Sequence, residues 1–337
     1  MFLNYQKRPY AIVVIVFLGI VVYSNTFFSS FHFDDFGYIV NNHSIKNIHD
    51  LQAIWSFCPC RFVTFFSLAL NYYFSGLHVL AYHLFNLAVH LTSAVLVWRL
   101  TFLTFLTPAM KEEKISRHAG AISLWAGLIF VAHPVQTEAV TYIWQRAASM
   151  AALFYLAALC FYAQSRLLSV SSGSPRRAGG NYLCALAMTV AAMFTKENTV
   201  TLPLMIMLYE FFFIRTGKGF HWKGISPFLG TLLIIPLTMV LTKSARFREI
   251  HQVIYGPQGI TPWHYLLTQF RVMVTYIRLV FLPVNQNLDY AYHVSKSIFE
   301  WPTFCSLLLL IAVLICAVRL FSKYRMISFG IFFFFLA

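Results

Sequence analysis

The chain has 337 residues, of which 59% are hydrophobic, 18% aromatic and only 11% charged. That composition excludes an ordinary soluble domain, because there is too little polar surface to cover so much apolar side chain. The formal charge of +14 does not mark a nucleic-acid binder either, since Lys and Arg gather in short loops between apolar runs, as in a membrane protein with basic cytoplasmic loops.

In chain order, Lys7 and Arg8 precede an apolar run at 10–28, which predicts a cytoplasmic N-terminus and an external first loop. That loop carries Phe31-His32-Phe33-Asp34-Asp35-Phe36-Gly37-Tyr38, two of the chain's four Asp side by side among aromatics. Desolvation and mutual repulsion both raise a carboxylate's pKa, one route to a general base. The plain alternative is a solvated pair capping a loop or short helix. Residues 61–75 are apolar but short and include Arg61 and Asn71, which predicts an interfacial helix. Spans follow near 80–106 and 119–133. His83, Asn86 and His90 put a polar stripe on one face of the first, for interhelical hydrogen bonds or for a ligand. The second ends at His133-Pro134. Beyond it, Glu138 and Arg146 stand eight residues apart, near enough to one helical face for an ion pair.

A span near 147–165 runs into Arg166, and Ser169–Gly180, rich in Ser and Gly, reads as a flexible linker. Two short runs, 181–194 and 199–214, flank Thr195-Lys196-Glu197-Asn198. Ionisable residues at such a break in a hydrophobic segment are functional candidates by default. After a basic loop with Arg215, Lys218 and Lys223, a span near 227–242 leads out. A stretch near 264–283 contains Gln269, Arg271 and Arg278, costly at mid-bilayer, and is expected to lie at the interface. That parity keeps Asp289 on the side of the Asp pair and leaves Arg319, Lys323 and Arg325 cytoplasmic after a span near 302–320. The apolar run 326–337 is too short to cross, so the chain reads as truncated there. The fold class is an all-α polytopic membrane protein, one domain over 1–337. The six Cys are scattered, and Cys58-Pro59-Cys60 has a spacing that suits neither a disulfide nor a zinc site.

Placed outside or at outer helix ends are Asp34, Asp35, Arg61, His83, His133, Glu138, Arg146, Lys196, Glu197 and Asp289. The set mixes bases with groups that neutralise phosphate, all on one side of the membrane.

These residues sit in an ordered series. Phe33-Asp34-Asp35 is followed by Tyr38-Ile39-Val40-Asn41-Asn42, Arg61-Phe62-Val63-Thr64, and Tyr82-His83-Leu84-Phe85-Asn86 with His90. Then come His133-Pro134-Val135-Gln136-Thr137-Glu138-Ala139-Val140, Arg146-Ala147-Ala148, Lys196-Glu197, and Leu282-Pro283 ahead of Leu288-Asp289-Tyr290. The series resembles the GT-C glycosyltransferases, and among them the membrane half of the transmembrane-and-TPR-repeat O-mannosyltransferase-like family. Two departures stand out: Arg61-Phe62 replaces the family's usual Arg-Pro, and the family's further spans and C-terminal repeats are not in this chain.

The resemblance implies a GT-C-like helical bundle whose extracytoplasmic first loop carries the Asp-Asp motif. It implies a polyprenyl-phosphate donor of a mannose-like hexose and, as acceptor, a hydroxyl of a protein or envelope glycolipid, with inversion at the anomeric carbon. Asp34 or Asp35 would be the general base, and Asp35 is expected because Phe36 and Gly37 beside it leave room for substrate. Arg61, Arg146 and Lys196 would stabilise the leaving phosphate, with His83, His133 and Glu138 orienting them. Some members use a divalent metal at the acidic site; magnesium or manganese would suit its oxygen ligands. The expected location is a bacterial inner membrane with the site facing the periplasm, among membrane lipids and without nucleic acid. The alternative is a non-catalytic transporter or flippase for the same headgroup, or a membrane scaffold. A transporter is expected to show repeated broken helices in two related halves, and this chain shows one break.

Overall fold

A computed structural model describes residues 9–171, 174–215, 221–242 and 260–337. Lys7, Arg8 and Lys218, used above for topology, lie outside the described residues. All regular structure among the described residues is helical, and the chain divides into two compact units, Met1–Thr238 and Met239–Ala337.

The first unit holds α1 (Pro9–Val22), α2 (Leu51–Phe57), α3 (Phe62–Ser75), α4 (Val79–Phe105), α5 (Ala119–Ala132) and α6 (Thr137–Thr141). After these come α7 (Arg146–Ser171), α8 (Pro175–Met193), α9 (Leu202–Tyr209), α10 (Trp222–Gly230) and the start of α11 (Ile234–Thr242). Six helical segments among the described residues are long and apolar enough to cross a membrane: Val79–Phe105, Lys114–Ala132, Ile143–Val170, Glu197–Ile214, Trp222–Thr242 and Trp301–Leu320. The chain is an integral, multi-pass membrane protein.

Small residues let these helices approach closely, as expected where lipid offers no hydrophobic drive for association. A Cβ on Gly127 of α5 would come within 2.7 Å of Ile15 on α1 and 3.2 Å of the Ala94 carbonyl on α4. Around it Ile15, Ala94 and Val131 form a closed apolar cluster. The α7–α8 pair packs the same way, with Ala151, Ala158 and Ala163 on α7 and Ala178, Ala185 and Ala192 on α8 all buried. That packing also corrects the expected linker at 169–180. Helix α7 continues to Ser171 and α8 already starts at Pro175, where a missing N–H costs nothing. The Ser165 hydroxyl, 2.8 Å from the Ala178 carbonyl, staples the two ends.

At the far end of α7, the buried Glu210 takes a two-pronged bond from Arg166, at 2.9 and 3.1 Å, and the Tyr162 hydroxyl at 2.9 Å. Helices α2 and α3 meet at a 109° bend around Pro59. Helix α2 is capped by Asp50, which accepts from the Ala53 N–H at 2.9 Å. The start of α3 docks on the break between α8 and α9: the Val63 N–H reaches the Phe194 carbonyl at 2.9 Å, and the Thr64 hydroxyl the Thr195 carbonyl at 2.8 Å.

The second unit holds α12 (Pro262–Phe281), α13 (Trp301–Leu320) and α14 (Arg325–Leu336). Helix α12 is not among the six apolar segments. Its Arg271 donates to the His293 carbonyl at 3.1 Å, and Thr268 accepts from the Ser295 N–H at 3.0 Å. Within this unit Asp289 is exposed, in an irregular stretch between α12 and α13.

Candidate functional site

The first loop turns sharply at Phe33, whose φ of 47° lies in the left-handed region that a bulky residue rarely adopts. Helical geometry begins at the next residue, so the two Asp side chains leave the backbone about 100° apart. They enter different surroundings. Asp35 is fully buried; its carboxylate accepts from the Trp144 N–H at 2.8 Å and from the His32 N–H at 3.1 Å. Burial pushes its pKa up, against the opposing pull of those two amides. Asp34 is exposed, and its own N–H donates to the Tyr142 hydroxyl at 2.9 Å. The expected open space beside Asp35 is there at Gly37, but the Asp35 carboxylate itself is enclosed. Asp34 is the carboxylate that reaches the surface.

Both Asp residues are tied to one segment, the turn between α6 and α7. Trp144 stacks on Tyr38 with ring centres 3.9 Å apart, and the Arg61 guanidinium lies 5.8 Å from the Trp144 ring centre. Arg61 in turn grips Glu197 with a fork of bonds at 2.8 to 3.1 Å, closing a sequence separation of 136 residues. The docking of α3 on the α8–α9 break makes that fork possible. Glu138 accepts from Gln145 at 2.6 Å; burial raises its pKa, while Gln145 and the nearby charge of Lys196 lower it. Of the two readings open for Glu138 and Arg146, the direct ion pair does not form: Arg146 bonds Asn86, Ser67 and Tyr82 instead.

Arg146 does not meet the surface. It is fully buried, donating to the Asn86 amide oxygen at 2.8 Å and to the Ser67 and Tyr82 carbonyls at 3.3 and 3.2 Å. Its guanidinium lies 4.3 Å from the Phe85 ring centre. In this position it fastens α3, α4 and α7 together, and it cannot reach a phosphate as expected from the sequence. The polar stripe on α4 is also spent internally. His83 donates through Nε2 to the Ser29 carbonyl at 2.9 Å, and its Nδ1 is buried without a partner. His90 bonds the Val131 carbonyl at 3.1 Å. His133 accepts from the Val135 N–H at 3.2 Å, capping the short turn that leads into α6.

Thus Asp34, Asp35, Arg61, Glu138, Lys196 and Glu197 are linked through the α6–α7 turn, while His83 and Arg146 are enclosed structural groups. Asp289 belongs to the second unit. Sequence reasoning missed Tyr142, Trp144 and His32, the groups that hold the Asp pair. The available signal was the aromatic content of Tyr142-Ile143-Trp144, between two charged candidates. Among the described residues no three His, Cys, Asp or Glu converge as a metal cage. Asp35 is fully buried, each of its oxygens taking a backbone N–H, so of the pair Asp34 is the exposed carboxylate that a cation would meet. A magnesium or manganese ion, which needs about six oxygen ligands, would have to draw the rest from water or a bound ligand.

Over 181 residues, half of this chain and 19% of the relative, 32% of positions are identical to protein O-mannosyl-transferase Tmtc3 of Drosophila melanogaster. This chain is similar to the protein O-mannosyl-transferases. The human protein O-mannosyl-transferase TMTC3 is 26% identical over 258 residues, 68% of this chain and 26% of its own length. The Caenorhabditis elegans protein O-mannosyl-transferase F38B6.6 is 24% identical over 307 residues, 85% of this chain and 40% of its own. The O-mannosyl-transferase-like chain thus spans between about a fifth and two fifths of these relatives. No family model and no solved structure matches it.

Proposed function

We propose that this chain is the membrane part of a GT-C glycosyltransferase that moves a mannose-like hexose from a polyprenyl-phosphate donor to a protein hydroxyl. The observation that carries the reading is the exposed Asp34 carboxylate, held on a backbone that is fixed by Tyr142 behind it and by buried Asp35 beside it. A base so placed takes the proton of the acceptor hydroxyl as that oxygen attacks the anomeric carbon. The bond from that carbon to the phosphate oxygen breaks, the configuration inverts, and the phosphate leaves with added negative charge. Lys196, half-buried near Glu138, and the outer edge of Arg61 are the cations proposed to meet that charge. Arg146 drops out of the role, and its buried charge serves packing.

The similarity to named O-mannosyl-transferases supports this reaction class over a flippase or scaffold. For location, the proposal retains the extracytoplasmic sidedness of the Asp34 loop. The relatives named above are animal proteins, so they lend no support to a bacterial inner membrane. The test is glycosyl transfer by the purified protein in lipid nanodiscs, from a defined polyprenyl-phosphate mannose to a Ser/Thr peptide. The expected product carries mannose with inverted anomeric configuration, and Asp34→Asn makes none. Folded wild-type protein that binds the donor but forms no glycoside would sink the reading in favour of a headgroup binder.

A further inference from the structure

We propose that Tyr142 is a positioning residue for Asp34, its hydroxyl fixing the loop backbone from which the carboxylate meets the acceptor. The inference rests on the glycosyl-transfer reading above and adds a residue outside every motif in the ordered series. Tyr142 lies 108 positions from Asp34 in sequence, yet its hydroxyl accepts the Asp34 N–H at 2.9 Å. A phenol oxygen that accepts one bond still has its own proton to donate, and the Asp34 carboxylate projects from the same residue whose N–H the phenol holds.

The ring itself cannot wander. It is 6% exposed and stacks on His32, with centres 4.8 Å apart and planes 28° from parallel. His32 is anchored in turn through its N–H to buried Asp35. Phe33, in its left-handed conformation, is thereby held on both sides by Tyr142, the ring gripping one neighbour and the hydroxyl the other. A strained residue of this kind persists only where its surroundings over-determine it. Burial, chiefly, pushes the Tyr142 hydroxyl up to about 12, so it stays protonated and remains a donor near neutral pH. The Asp34 backbone is thus steadied by the phenol, while its exposed carboxylate is left for the proton of the acceptor.

Tyr142→Phe deletes only the hydroxyl and keeps the stacked ring. The expected result in nanodiscs is wild-type folded yield and thermal midpoint, with kcat for mannosyl transfer down about 100-fold, the scale of a small misplacement of a catalytic group. Donor KM should stay within about twofold, since a transition-state contact rather than uniform binding is lost. Amide hydrogen exchange at Asp34, which needs no turnover, should be slow in the wild type and fast in the variant. Unprotected Asp34 exchange in the wild type, or unchanged exchange in the variant, would overturn the clamp outright. Near-wild-type kcat in Tyr142→Phe beside an inactive Asp34→Asn would overturn positioning and leave the glycosyltransferase reading standing. Wild-type turnover in Asp34→Asn would end that reading and this one with it, whatever the exchange data show.

Discussion

Two buried carboxylates in the first unit invite comparison, Asp35, bonded just before the start of α7, and Glu210, bonded near its far end. Both are enclosed, at 0% and 2% exposure. Glu210 is answered by a guanidinium fork from Arg166 and by the Tyr162 hydroxyl, so its charge is matched and its oxygens are used. Asp35 is answered by two backbone amides, with the His32 ring 3.9 Å away and no Arg or Lys bonded to it. The first cluster closes a helix junction and leaves no acid behind. The second spends one acid to fix a backbone and leaves its neighbour, Asp34, outside. A buried carboxylate is therefore a poor marker of chemistry in this protein. What matters is whether bracing one acid leaves another with open oxygens.

The largest effect should come from Asp34→Asn. Loss of a general base costs on the order of 100- to 10,000-fold in rate, and folded yield should hold because the Asp34 side chain is exposed. Equal turnover in the variant and wild type would erase the distinction between the two regions. Glu210→Gln should do the reverse. It strands Arg166 in a buried setting, at a cost of about 3 kcal/mol by the measure of broken buried pairs. A thermal melt in detergent should show that loss, while the molecules that remain folded keep their turnover.

Asp35→Asn stands between. Replacing one acceptor oxygen by an amide nitrogen leaves one of the two N–H groups unmatched, worth about 1–3 kcal/mol, with a partial loss of turnover. It should also change the pH response. Because burial raises the folded pKa of Asp35 above its unfolded value, the folded state holds that proton more tightly. Its contribution is then fully present below the usual Asp value of about 3.9 and is lost as pH rises through the raised folded value. Asp35→Asn should flatten that decline in thermal stability, and Glu138, also raised by burial, should supply what slope remains. An unaltered slope would mean that Asp35 keeps an ordinary pKa. The smallest effect is expected from Gly37→Cys in a background without native Cys. An added Cβ there meets nothing within 4 Å, so stability and turnover should be unchanged. The new thiol should react with an impermeant reagent in sealed membranes of outward orientation, and labelling only after permeabilisation would put the Asp34 loop on the other side.

By itself the sequence determined the membrane class, the helical content and the candidates around the Asp pair, because those depend on local runs of apolar residues and on which side chains are costly to bury. It also marked Lys196-Glu197 as a break between α8 and α9. The tertiary structure alone decided which candidate does what. Neighbouring Asp residues look alike in sequence, and only the turn at Phe33 and the distant Trp144 amide send one inward and the other out. Arg146 looks like a phosphate ligand until Asn86, Ser67 and Tyr82 are seen to enclose it. Arg61 looks free until the docking of α3 brings Glu197 to it from 136 residues away. Partnership of this kind is set by long-range packing of helices, which leaves no trace in the spacing of residues along the chain.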